Sequence, residues 1–597
     1  MKKGNNIVGA GLGFSLVCAL PVLLPIRGRE LFYTNSIAAF LLWILLTLLM
    51  SRILKHGFSG GKRRWLLPGI FAALFSLAMT FGAGLEQNGS VAFREIRLWA
   101  GAAALSVNGA LIVRFVWDLF LERQGAGEDG GKEVKGGLRS FFLTAAGIFI
   151  CYLPVFLAVY PGFFVYDAQD ELMQVVTRNF STHHPLLHVL LLGGVVQLVH
   201  KLGGSYNLGI ALYTLLQMAA LSCIYAWGIG RLKGEGAGRT FRILSAVYFG
   251  LFPVLVMFSL CSAKDGLFTG MLFMMVLLLR SMIRDPGRFL ESRADVLLLA
   301  SSSLLMMLLR HNGFYAFAVF SLGLFLFERA PGFVAGRKKL LILFGGIFAG
   351  FLLVNQALAM ALHADDSENQ ELLTVPIQQM ARVYSMEGDT LSREEKDTLH
   401  EILPEEALRR YTPKVSDGVK VDFDNEAYSQ DPARYLRLWL KIGVRHPFAY
   451  LNAWFMTSYG FWYPDAVIDV YRGNSVFTFT YGDSSYFGYE VEEPGRRESK
   501  IPALDELYRR MSLEIAQQRI PVLSMLFSPG FLFWSAAFLI GFLWYGKRGR
   551  RAAAYMLPAL VWLTVILGPT YLVRYVVFLW ALAPVLLFDA GFELWKK

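Results

Sequence analysis

Three carboxylates fall close together in the stretch Tyr160-Pro-Gly-Phe-Phe-Val-Tyr166-Asp167-Ala-Gln-Asp170-Glu171, directly after a long apolar run. On a helix Asp167, Asp170 and Glu171 share one face at i, i+3 and i+4, where mutual repulsion raises a pKa or a cation binds; the alternative is a solvated acidic loop. Ser181-Thr182-His183-His184-Pro185 follows, with the proline placed to start a helix and two imidazoles just ahead of it. An interfacial turn accounts for these histidines as well, and no spacing here specifies metal ligands. Three further ionisable groups stand hard against apolar segments: Lys264-Asp265, Arg310-His311-Asn312 and Arg574-Tyr575. Charge is costly within hydrocarbon and so points to function, although a Lys-Asp pair can satisfy itself and terminal arginines snorkel. Finally, in Leu373-Thr-Val-Pro376-Ile-Gln378-Gln379-Met-Ala-Arg382-Val-Tyr384, Gln378 and Arg382 are i, i+4 neighbours suited to a sugar hydroxyl or a phosphate, or to a capped surface helix.

Composition sets the elements that must position these groups. The chain has 597 residues, 55% hydrophobic and 17% charged, with mean hydropathy +0.45, which places it in lipid. Apolar stretches of membrane-crossing length recur at 6–26, 35–52, 65–83, 99–120, 139–160, 205–230, 241–260, 264–283, 295–310, 313–328, 339–361, 528–546, 553–571 and 574–591. The expected fold is therefore an all-α polytopic membrane protein of about 14 transmembrane helices. Residues 1–138 would form a four-helix region and 139–361 a membrane core with a first outer loop at 161–204. An acidic, mostly helical domain would occupy 362–527 and the last helices 528–597.

The formal charge is +11, but Lys and Arg sit in short clusters between apolar segments, which is a membrane-orientation pattern and excludes a nucleic-acid partner. With a cytoplasmic N-terminus, the basic loops 51–64, 121–139, 231–242, 283–293, 328–339 and 546–551, with the Lys596-Lys597 tail, all fall inside. Both termini are then cytoplasmic, and every candidate residue above faces outward. Residues 363–527 carry 27 Asp and Glu against 18 Lys and Arg, consistent with an outer domain, and Val476 to Tyr481 alternates like a short strand. Pro185 to Leu202, with His188, Gln197, His200 and Lys201, reads as an interfacial helix, because counting it as a span would put the following basic loops outside. The run from Ile7 to Ile26 reads as a first transmembrane helix, and the spacing of Cys18, Cys151, Cys223 and Cys261 suggests neither disulfides nor zinc.

An outward helix, an acidic first outer loop, an interfacial helix opening with His184-Pro185-Leu186, further spans and a late outer domain together resemble the GT-C superfamily of membrane glycosyltransferases. Tyr160-Pro161-Gly162, Tyr166-Asp167, His183-His184-Pro185, Lys264-Asp265, Asn312-Gly313 and Pro376 to Arg382 resemble more closely an uncharacterised Gram-positive membrane family of that plan, over roughly 139–591. The resemblance implies a polyprenyl-phosphate sugar donor, a cell-envelope acceptor, a bacterial plasma membrane location and Asp167 as base. Lys264, Arg310, Arg574, His183, His184, Gln379 and Arg382 would hold sugar or phosphate. Asp170 or Glu171 would orient the acceptor or bind a divalent cation, Mg or Mn. A flippase of lipid-linked sugars and a non-catalytic envelope scaffold are the alternatives; charges at helix ends rather than mid-span, without related halves, favour the transferase.

Overall fold

The structure is a computed structural model and describes residues 2–23, 36–59, 61–123, 137–365, 369–470 and 488–591. The expected strand at Val476 to Tyr481, the Lys596-Lys597 tail and most of the 121–139 loop lie outside these residues. Among the described residues the regular elements are all helices. The first four are α1 (Lys2–Leu23), α2 (Ile37–His56), α3 (Arg63–Asn88) and α4 (Ile96–Arg123). Next come α5 (Leu138–Ala158), the short α6 (Ala168–Thr177), α7 (Leu186–Lys201) and the long α8 (Tyr206–Gly234). Then α9 (Arg239–Leu251) and α10 (Pro253–Leu260) meet at a 53° bend before α11 (Lys264–Arg284). The bend has a local cause: Pro253 forces Phe252 out of helical geometry, to φ −68° and ψ 120°.

Seven helices among the described residues are long and apolar enough to cross a bilayer: α2, α3, α4, α5, α8, α11 and Pro331–Leu362. The bent α9–α10 pair makes an eighth. A helix lies in each of the six other apolar stretches, but α1 is fully described only over Gly4–Leu20, and Arg293–Leu309, His311–Phe327, Pro529–Tyr545, Met556–Val565 and Phe578–Asp589 are short. Length and composition thus support seven or eight spans. Phe40, Leu41, Leu45 and Leu48 of α2 are exposed, as on a helix that faces lipid. The chain is a helical membrane protein.

α11 is its centre. Of its apolar window 78% is buried, against 22% for α2, α4 and Pro331–Leu362. Towards its C-terminal end Arg280 is buried, pairs with Asp589 of helix Phe578–Asp589 and reaches Glu235, beyond α8, at 3.0 Å. Tyr555 donates to the other Asp589 oxygen at 2.6 Å.

The domain after Pro331–Leu362 has a separate core, including Ile377, Leu399, Ile402, Val419, Tyr435 and Ile442. Its helix Arg393–Ile402 starts with a capping box, in which Ser392 and Glu395 satisfy each other's backbone N–H groups. This domain rests on the α3–α4 turn. Val91 N–H donates to Asn452 at 2.8 Å, Arg382 to the Gly89 carbonyl at 2.9 Å and Tyr459 to Glu86 at 2.8 Å. The α3–α4 hairpin, part of the N-terminal region that the resemblance leaves without a role, therefore seats the domain.

Candidate functional site

Asp167 and Lys264 are far apart in sequence, and two turns bring them together. Phe163 N–H donates to the Leu260 carbonyl at 3.1 Å and Ser262 N–H to the Phe163 carbonyl at 2.9 Å, tying the loop after α5 to the loop before α11. Gly162 permits this approach. Its φ is +131°, and a Cβ there would lie 2.5 Å from Thr214 Oγ1. From α8, the Gln217 side-chain amide donates to the Phe258, Ser259 and Cys261 carbonyls at 3.3, 3.2 and 2.7 Å. These are carbonyls that the end of α10 leaves without helical partners. α11 consequently begins with Lys264 beside Asp167.

Lys264 Nζ donates to Asp167 Oδ2 at 2.6 Å and lies 3.5 Å from Glu171 Oε1 and 3.4 Å from His184 Nδ1. Arg574, in the 3-10 turn Val573–Val576, donates to Asp167 Oδ2 at 2.7 Å and to Asp265 Oδ2 at 2.8 Å. Arg310 pairs with the other Asp265 oxygen. Glu171 is paired in addition with His188, whose Nε2 lies 2.8 Å from Tyr213 Oη. Three carboxylates thus meet three permanent cations in a formally balanced cluster. Lys264 and Asp265, adjacent in sequence, hold different partners. Asp167 is the most accessible of the three carboxylates: its side chain is 26% exposed, against 1% for Glu171 and 0% for Asp265.

Burial opposes a charge on Asp167, but Arg574 and Lys264 overcome that and hold its carboxyl well below the usual range. Glu171 is likewise lowered, with burial outweighed by His188 and Lys264. Burial pushes the His184 imidazole down to about 4 despite the neighbouring Asp167, so it is neutral at ordinary pH. Asp170 goes the other way, raised by partial burial and by Asp167.

Not all expected residues join. α6 starts at Ala168 with Asp167 at its N-cap, so Asp167 and Glu171 turn to Lys264 while Asp170 is exposed. His183 is exposed too, its ring 4.6 Å from that of His184. Gln379 and Arg382 need correction as sugar or phosphate ligands. Gln379 donates to the Tyr450 carbonyl at 3.3 Å and accepts from Trp439 at 2.8 Å; Arg382 donates to Tyr411 and, as above, to Gly89. Gln378 is equally engaged, donating to the Thr412 carbonyl at 2.7 Å. These side chains hold the domain together. Conversely, His188, which the sequence assigns to an interfacial helix, is completely buried against Glu171. Gln217 was missed, though a lone amide inside an apolar span was a usable signal.

Asp167, Glu171 and His184 present ligand atoms within 4.8 Å of one another, a spacing suited to a metal ion. The Lys264 ammonium stands among them, however, at the distances given above. A divalent cation at this trio would meet that positive charge at contact range, so the residues do not fit Mg or Mn while Lys264 keeps this position. Asp170 is not one of the trio.

A family model described as a family of unknown function, DUF6020, matches residues 174–594. The chain belongs to this family. The DUF6020 match takes in His184, Lys264, Arg310 and Arg574, whereas Asp167, Asp170 and Glu171 precede it. No curated protein and no solved structure matches the chain.

Proposed function

We propose that this DUF6020 protein is a membrane glycosyltransferase that moves a sugar from a polyprenyl-phosphate donor to a cell-envelope hydroxyl, through a GT-C-like bundle of about fourteen spans. The site would face outward from a bacterial plasma membrane, with both termini cytoplasmic. The observation that carries the reading is the accessible Asp167 carboxylate held between Lys264 and Arg574 at the end of a membrane helix. A carboxylate so paired is a weak base. A donor phosphate that takes up Lys264 and Arg574 removes the interactions that depress its pKa, so donor binding restores its basicity.

Asp167 then accepts the acceptor hydroxyl proton as that oxygen attacks the anomeric carbon. The bond from that carbon to the phosphate oxygen breaks, and the electron pair leaves with the lipid phosphate, whose charge Lys264 and Arg574 stabilise. Arg310 acts through Asp265 to hold Arg574 in place, and the Glu171–His188 pair does the same for Lys264. Neutral His184 is left to hydrogen-bond a sugar hydroxyl.

The test is incubation of the purified full chain with a panel of polyprenyl-phosphate sugars and envelope acceptors, reading release of lipid phosphate. Asp167→Asn should lower the rate by about 10²–10⁴-fold in a protein that still folds and inserts, at some cost in thermal stability because Lys264 and Arg574 lose a charged partner. Release by no donor, or full activity in that variant, would overturn the proposal. The bent α9–α10 pair favours a second reading, a transporter of lipid-linked sugars, because broken spans carry substrate sites in such proteins. In vesicles that reading gives transbilayer movement of intact donor and no lipid phosphate.

A further inference from the structure

Away from the charged cluster, two adjoining cavities of about 650 and 740 Å³ form one groove between α5, α8 and α9. Its wall along α5 runs from Gly137 past Leu143 and Gly147 to Cys151, and is mostly apolar. Arg139, Arg231, Lys233, Arg239 and Arg242 surround one end, and among the described residues no carboxylate lines either cavity. Arg231 is engaged with Asp295 at 2.8 Å, but Arg139, Lys233 and Arg239 have no ion pair among the described residues. The basic end is where α5 begins, whereas Asp167 follows the end of the same helix, so the groove opens at the opposite membrane face.

We infer that this groove is a binding site for an anionic glycerophospholipid of the bilayer, with the phosphate among the arginines and an acyl chain along α5. Two observations select this occupant. Among the described residues the rim carries three cations without an ion-pair partner, Arg139, Lys233 and Arg239, which a zwitterionic headgroup does not match and an anionic one does. From Gly137 to Cys151 the helix rises about 21 Å, close to one leaflet's hydrocarbon depth plus a headgroup. A polyprenyl tail would run well past that length. Gly147 and Gly230 add to the room: a Cβ at either meets nothing within 4 Å.

The test uses native mass spectrometry of the full chain from neutral detergent, titrated with dioleoylphosphatidylglycerol, dioleoylphosphatidylcholine or glycerol 3-phosphate, with thermal stability read in parallel. The expected result is at least tenfold preference for the phosphatidylglycerol, with a raised melting temperature, and no effect of the soluble phosphate. The Arg139→Glu/Arg239→Glu variant should lose that preference. Gly147→Phe keeps every charge and fills the groove from an unobstructed position, so it should weaken binding at least tenfold while the unliganded protein melts as before. Equal binding of phosphatidylcholine overturns the inference, as does undiminished binding by either variant. Absence of binding overturns it too.

Discussion

His184 lies beside a lysine in a buried pocket, and its neutrality has a consequence for stability. Its folded-state pKa, about 4, is below the ordinary value of 6.5, so on acidification the unfolded chain takes up the proton first. Stability is therefore complete above about pH 6.5 and falls between there and pH 4, by about 3 kcal/mol in all. His184→Asn should flatten the melting temperature across that window, measured in detergent, while the wild type declines. Asp167 has the opposite chemistry but the same sign: its pKa is depressed in the folded protein, so its contribution is whole above the ordinary carboxylate range and is lost progressively as the pH falls below it. Lys264→Ala leaves Glu171 with His188 and Asp167 with Arg574, and should cost about 2 kcal/mol by thermal or denaturant unfolding. Unchanged stability would mean the ammonium is not held as described. Asp167, Glu171, His184, Lys264, Arg310 and Arg574 were legible in the sequence because charges at the ends of apolar runs are rare enough to stand out. The internal bonding of Gln379 and Arg382 is not legible there, because helical spacing says which side chains share a face, not what that face meets.

At the scale of elements, the site depends on the two turns that Gln217 and Gly162 hold together. Gln217→Leu strands the Phe258, Ser259 and Cys261 carbonyls, with an expected loss of about 1–3 kcal/mol and a fall in turnover as Lys264 drifts from Asp167. If turnover is retained at full rate in a measurably destabilised protein, Gln217 has no part in placing Lys264. Helix existence was readable from apolar runs, since a helix lies in each of the fourteen stretches. Helix length was not. Pro253 divides one run at a bend, and the helices near the C-terminus are too short to cross by length alone. The inward turn of His188 on α7 was also hidden, because its partner Glu171 comes from α6, and pairing between elements leaves no trace in local periodicity.

For the whole molecule, sidedness is the proposal most open to direct measurement. In a cysteine-free background, a cysteine at exposed Asp170 should react with an impermeant thiol reagent on intact cells, and one at exposed Arg239 only after permeabilisation. The reverse pattern would put the cluster in the cytoplasm and remove the envelope acceptor. The seating of the 374–458 domain on the α3–α4 turn could not be foreseen, since Asn452 and Val91 are 361 residues apart and nothing local connects them. α11 carries a last implication. It is fastened near one end by Lys264 and Asp265 and near the other by Arg280, each held by charged partners from other parts of the fold. Sliding or tilting this rod would break ion pairs near both of its ends at once, so α11 is held in place at both ends. Its amides should accordingly be the slowest in the chain to exchange hydrogen for deuterium, with donor or without.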